Sequence, residues 1–203
     1  MHIPQCDTLS QKILTFSEAL CPTNDTYDRA RWLYVPDYYC DYRYILGTKG
    51  DDPLICIGIN PSTAEPDNLD NTLKSVERIA LGNGFDSFLM FNVYPQRATR
   101  PDDMERQCNE ALQRENLAAF AYILSLCPSQ PVVWAAWGTI ILQRDYLPRC
   151  LQGLLQVGQD YGAKWVTAGA RSRHGGHPHH PLYLRKDAVL EPFDVEAYLK
   201  NWM

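Results

Sequence analysis

Three short apolar runs, at 54–59, 88–93 and 132–137, are each followed by turn residues and then by a helical pattern. Apolar runs of this length, bounded by turn signals, suit strands buried on both faces. Strand–helix alternation in turn builds a parallel sheet with helices over both sides. A fourth strand is expected at 164–168, followed by a loop over 169–181. The fold class expected is α/β, a three-layer α/β/α sandwich around a mainly parallel sheet of about four strands.

The intervening segments carry helix signals. Asp70 or Thr72 suits the cap of a helix in which Leu73, Val76, Ile79 and Ala80 recur at helical spacing before Gly82 and Gly84 stop it. Pro101 and Asp102 open a long helical region through Leu124, with a break expected near Asn116, and Val195, Tyr198, Leu199 and Trp202 form a last amphipathic helix. Ahead of the alternating region, residues 1–37 read as a helical N-terminal addition, with Leu9, Ile13, Phe16 and Leu20 on one face and Pro22 ending it. Residues 38–203 read as the α/β domain, and 42–46, closed by Gly47, as an edge strand. A chain of 203 residues suits one core.

Charge and cysteine content narrow the function classes. A net charge of −5 argues against indiscriminate binding to duplex phosphates, which needs a basic face. The stretch 161–186 nevertheless holds no Asp or Glu, while Lys164, Arg171, Arg173, Arg185, Lys186 and four histidines lie in it. That stretch is either an anion-attracting surface or a solvated basic loop. The seven cysteines form no CxxC pair and read as reduced thiols. No apolar run reaches the roughly 18 residues of a spanning helix, and the N-terminal residues lack a signal-peptide pattern, so a cytoplasmic location without membrane association is expected.

Ligands of open parallel sheets bind beyond the carboxyl ends of the strands, so the residues where each run stops are the candidates. The first run ends in Gly58-Ile59-Asn60-Pro61-Ser62, which offers a close-approach glycine, an amide, a fixed turn and a hydroxyl. The same residues equally suit a plain Asn-Pro turn with a serine cap. The second run ends in Asn92, whose amide needs a partner because burying it unpaired costs about 1–3 kcal/mol. A backbone group or the edge of a bound base would serve. The third ends in Trp137-Gly138, small-residue packing being the simpler reading. Beyond the fourth, His174, His177, His179 and His180 precede Pro181 and Tyr183. They lack HExxH spacing, so neither a metal nor a cofactor is expected.

Taken in order, Gly58-Ile59-Asn60-Pro61, the strand ending in Asn92 with Arg97-Ala98, Trp137-Gly138 and His180-Pro181 resemble the motif series of the uracil-DNA glycosylase superfamily. More closely, Tyr42-Arg43-Tyr44, Asn60 to Ala64, Asp70-Asn71-Thr72, Arg97-Ala98-Thr99, Trp137-Gly138 and the segment from Gly176 to Tyr183 resemble a bacterial domain family of unknown function. The glycosylase resemblance implies a base taken out of its stack and cut from its sugar. It places Asn60 on the attacking water, Asn92 on the base edge and His180 on the charge of the departing base. Neutral Asn60 is no strong general base, so proton transfer falls to Asp70 or Asp67. Gly58, Ile59, Pro61, Ser62, Arg97, His177 and Tyr183 complete the implied substrate-binding set. The implied partner is a nucleobase, a nucleotide or DNA that is single-stranded or has a flipped base, and the oligomeric state is left open. Leu182-Tyr183 stand where those glycosylases carry a small residue and proline. Two other readings remain: a nucleotide or modified-base sensor without chemistry, and a metal-dependent hydrolase using the His174 to His180 cluster with Asp67 or Asp70.

Overall fold

The structure, a computed structural model, describes residues 12–202. The chain forms an α/β fold around one seven-stranded mixed sheet. Its strands are β1 (Trp32–Val35), β2 (Ile45–Thr48), β3 (Pro53–Gly58), β4 (Ser87–Asn92), β5 (Val132–Ala135), β6 (Lys164–Ala168) and β7 (Leu190–Pro192), in the spatial order β1-β2-β4-β3-β5-β6-β7. The helices are α1 (Phe16–Ala19), α2 (Asn71–Gly82), α3 (Glu110–Ser125), α4 (Leu147–Asp160) and α5 (Val195–Leu199).

The four central strands β4, β3, β5 and β6 are the four apolar runs, and they pair in parallel, with Ile55 opposite both Leu89 and Val133, and Val133 opposite Trp165. Every residue of β3 and β4 is buried, which is why both read as continuous apolar runs rather than alternating ones. Side-chain alternation still divides them. Leu54, Cys56, Phe88, Met90 and Trp134 pack in one core cluster with Leu73, Val76, Ile79 and Ala80 of α2. Ile55, Ile57, Leu89, Phe91 and Val133 pack in the other with residues of α1, α3, α4 and α5, including Phe120, Leu151 and Tyr198.

The sheet differs from the expected four strands because β1, β2 and β7 extend it antiparallel at both edges. The segment expected as an edge strand at 42–46 contributes Ile45–Thr48 instead, and it lies inside the sheet between β1 and β4. The edge is Trp32–Val35, an aromatic and β-branched stretch within residues 1–37. Among the described residues of that segment the helix spans Phe16–Ala19, opened by a capping box of Thr15 and Glu18. Leu9 lies outside the described residues.

Two helix boundaries also differ. Residues Pro101–Asp103 make a single 3₁₀ turn, and α3 starts later, where Asn109 Oδ1 caps Leu112 N at 3.1 Å. The helix then runs unbroken through Asn116, whose buried Nδ2 donates to the carbonyls of Asn92 and Val93 at 3.1 and 3.3 Å. A tertiary hydrogen bond, invisible in the local pattern, holds a residue of modest helix propensity in the helix interior. Among the described residues no helix is long and apolar enough to cross a membrane.

Candidate functional site

Beyond the carboxyl end of β3 the chain turns through Asn60-Pro61, and a cavity of ≈ 370 Å³ opens between this turn, the start of α2 and the histidine segment. Gly58, Ile59, Asn60, Pro61, Ser62, Asp70, Thr72, Thr99 and His180 are among its walls. Gly58 leaves room for close packing there, since a Cβ would lie 2.5 Å from Met90 Cε and 3.2 Å from the Asn92 amide, so the Met90 side chain would have to move. The Asn60 amide donates both of its hydrogens to backbone carbonyls, Pro61 at 2.9 Å and Ala98 at 2.7 Å. Its Oδ1 is left as the acceptor of the side chain.

Asp70 caps α2, Oδ1 accepting from Leu73 N at 2.9 Å. His180 is brought beside it because Ser75 of α2 donates Oγ–H to the Pro181 carbonyl at 2.8 Å. Leu182 N donates to His180 Nδ1 at 3.3 Å, so the neutral ring carries its proton on Nε2. Burial lowers the His180 pKa below its usual 6.5; the Asp70 carboxylate opposes that shift and His179 adds to it. At neutral pH the ring is therefore a neutral donor.

Two buried arginines support this wall, Arg97 from behind and Arg43 as part of it. Arg97 is fully buried, its guanidinium donating to the carbonyls of Ser62 and Ala64 and, at 3.0 Å, to Tyr34 Oη, while lying 4.2 Å from the centroid of the Tyr39 ring. Arg43, also buried, donates Nη1–H to the Ala64 carbonyl at 3.0 Å and lines the cavity. Burial first, and then the neighbouring Arg97 charge, push the Arg43 pKa down to about 9. Each guanidinium keeps a buried Nε without a partner. Arg43 was legible as a motif residue between Tyr42 and Tyr44 but not as a cavity residue, since strand alternation alone does not say which face meets a cavity.

The remaining candidates lie elsewhere. Asn92 is 1 % exposed and lies behind Gly58 rather than in the wall. In the amide orientation that satisfies both of its polar atoms, Nδ2 reaches the carbonyls of Asn60 at 3.3 Å and Phe91 at 3.2 Å. His177 and Tyr183 belong to an adjoining cavity of ≈ 780 Å³ that also holds Trp137, Arg171, Arg173 and His179, and shares Thr99, Pro101, Ile140 and His180 with the first. His177 is buried, its Nδ1 2.8 Å from Tyr198 Oη and its ring stacked on Trp202. Tyr183 is 75 % exposed. Asp67 is outside both cavities, where Oδ1 accepts from Trp32 Nε1 at 3.0 Å. Among the described residues no three His, Cys, Asp or Glu side chains are grouped as a metal-ligand set.

A family model described as a protein of unknown function (DUF1643) matches residues 43–182, most of the chain and every residue lining the two cavities except Tyr183. No curated protein and no solved structure matches. The chain belongs to the DUF1643 family.

Proposed function

We propose that the cleft of this DUF1643 chain binds a nucleobase or nucleotide and that Asn60, Asp70 and His180 place an N-glycosidic bond for hydrolysis. The observation that carries the reading is convergence. Gly58 to Ser62, Asp70 and His180, far apart in sequence, line one cavity beyond the carboxyl ends of the central parallel strands. The order of these motifs supports a uracil-DNA-glycosylase-type arrangement, and the two core clusters formed by alternate strand residues support the three-layer sandwich. Six free cysteines among the described residues support a reducing, cytoplasmic setting.

In the proposed reaction, water adds across the bond between the sugar carbon and the base nitrogen. Its oxygen bonds to the sugar, and the base leaves with the electron pair and takes up a proton. Asn60 Oδ1 accepts a hydrogen bond from the water and orients it, and the Asp70 oxygen not used in the cap receives its proton. The His180 Nε2–H donates to the base as charge develops there. Asn92 acts from behind, holding the Asn60 backbone.

Thermal-shift and titration panels of bases, nucleosides and nucleotides, paired with single-turnover cleavage of a labelled single strand, test this. Wild type is expected to bind at least one class, and His180→Ala to keep binding while losing cleavage. Failure of wild type to bind any base, nucleoside or nucleotide overturns the reading. Binding without cleavage in wild type assigns the sensor role instead, which the Asn60 amide favours because a neutral amide takes no proton.

A further inference from the structure

The larger cavity is unlike the rest of the molecule in charge. The chain carries a net charge of −5, yet no Asp or Glu lines this cavity of ≈ 780 Å³, whose walls include Arg171, Arg173, His179 and His180. Within the basic stretch 161–186 the arginines divide into two kinds. Arg185 is neutralised by Asp187, with Nε 3.0 Å from Oδ1. Arg171 and Arg173 are exposed and have no carboxylate partner among the described residues. Arg171 lies over the Phe193 ring at 6.0 Å from its centroid, but no described carboxylate offsets either charge, and an anion in this cavity would do so.

The loop that carries them is fastened at several points. Ser172 Oγ donates to the His174 carbonyl at 2.6 Å and accepts from His177 N at 3.0 Å, while Ser172 N donates to the His177 carbonyl at 2.9 Å. His177 is in turn held by Tyr198 and Trp202, and Gly175, at φ +80°, lets the loop lie against Trp202, where a Cβ would come within 2.4 Å of the ring. A braced loop presents its guanidiniums with less ordering cost than a free one, and arginine's planar fork suits the paired oxygens of a phosphate. His180 belongs to both cavities, so a ligand held beside it in the smaller one has its remainder in the larger.

We infer that the larger cavity is a phosphate subsite, in which Arg171 and Arg173 bind the phosphate ester of a ligand whose base occupies the smaller cavity. The inference rests on the base-binding reading for the identity of that ligand and names its class, phosphorylated rather than a free base or nucleoside. The phosphate belongs either to a free nucleotide or to a single strand passing over exposed Tyr183, and the chemistry at the arginines is the same.

The test is calorimetric titration of the full chain with a nucleoside, its 5′-monophosphate, a short single-stranded oligonucleotide and inorganic pyrophosphate. The phosphorylated ligands are expected to bind about tenfold tighter than the nucleoside, the scale of one charge-assisted contact. Raising salt from about 50 to about 200 mM should weaken them and leave the nucleoside unchanged. The double variant Arg171→Ala, Arg173→Ala should lose the gain and keep the nucleoside affinity, and Arg173→Glu alone should repel pyrophosphate. A gain confined to the oligonucleotide identifies the strand as the source. No gain from phosphate, or the same gain in the double variant, overturns the subsite while leaving the base reading in place. Arginine-dependent pyrophosphate binding with no nucleoside binding supports the subsite and defeats the base reading.

Discussion

Arg43 and Arg97 have the same guanidinium chemistry as Arg171 and Arg173, but they sit in opposite surroundings. The first pair is buried beneath the Asn60 to Ala64 turn, with carbonyls, a phenol and an aromatic face as partners. The second pair is exposed at the rim of a cavity without carboxylates. Burial turns the first pair into part of the scaffold, because a guanidinium removed from water must keep every available acceptor. Exposure leaves the second pair's donors open to a ligand. The same residue type thus shapes the wall of the smaller cavity from behind and offers charge to the larger one in front.

The contrast is checked most severely by Arg97→Ala, which strips partners from the Ser62 and Ala64 carbonyls and from Tyr34 Oη. A loss of about 3–5 kcal/mol in urea unfolding is expected, with Arg97→Lys recovering only part of it. A loss below about 1 kcal/mol would remove Arg97 from the scaffold. Next comes Asn60→Asp, which sets a carboxylate oxygen against the Pro61 and Ala98 carbonyls now 2.9 and 2.7 Å from the amide nitrogen. It should cost about 2 kcal/mol of stability rather than create an efficient general base. An unchanged unfolding midpoint together with faster cleavage would contradict that. By contrast, Arg171→Ala with Arg173→Ala should leave stability within about 0.5 kcal/mol of wild type in the same denaturation, and a larger loss would mean that those side chains brace the loop themselves.

The smallest effect expected is a pH dependence. Burial lowers the pKa of His177 and of His180 below 6.5, with Asp70 and His179 facing His180, and Tyr198 and Trp202 facing His177. Between the lowered folded values and 6.5 the unfolded chain binds more protons than the folded one. Stability contributed by the neutral rings is therefore present above 6.5 and lost as pH falls through the folded values. Unfolding midpoints followed from about pH 7 down to about pH 5 should decline, and less steeply in a His177→Gln, His180→Gln double variant. Equal slopes in the two proteins would exclude these rings as the cause.

The apolar runs at 54–59, 88–93, 132–137 and 164–168 were enough to place the four parallel strands, since burial on both faces writes itself into sequence as an uninterrupted apolar stretch. Their carboxyl ends, with Gly58 to Ser62 after the first run and His180 after the last, were legible for the same reason, whereas Asp70 read only as a helix cap and, through the resemblance, as a proton acceptor. The edge strands Trp32–Val35 and Leu190–Pro192 were not, because each is short and is made a strand only by antiparallel pairing with its neighbour, β2 or β6. Asn92 and Asn116 show the limit most clearly. Each reads locally as a polar interruption, and only tertiary packing supplies the partners: α3 against β4 sets the Asn116 amide on the Asn92 carbonyl, and β4 beside β3 sets the Asn92 amide on the Asn60 carbonyl. A strand or a helix is declared by its own periodicity, so the sequence alone determined the central sheet and the residues at its ends. Which guanidinium is buried, which amide backs a wall and which cavity adjoins which depend on contacts between distant segments, and those only the tertiary structure decided.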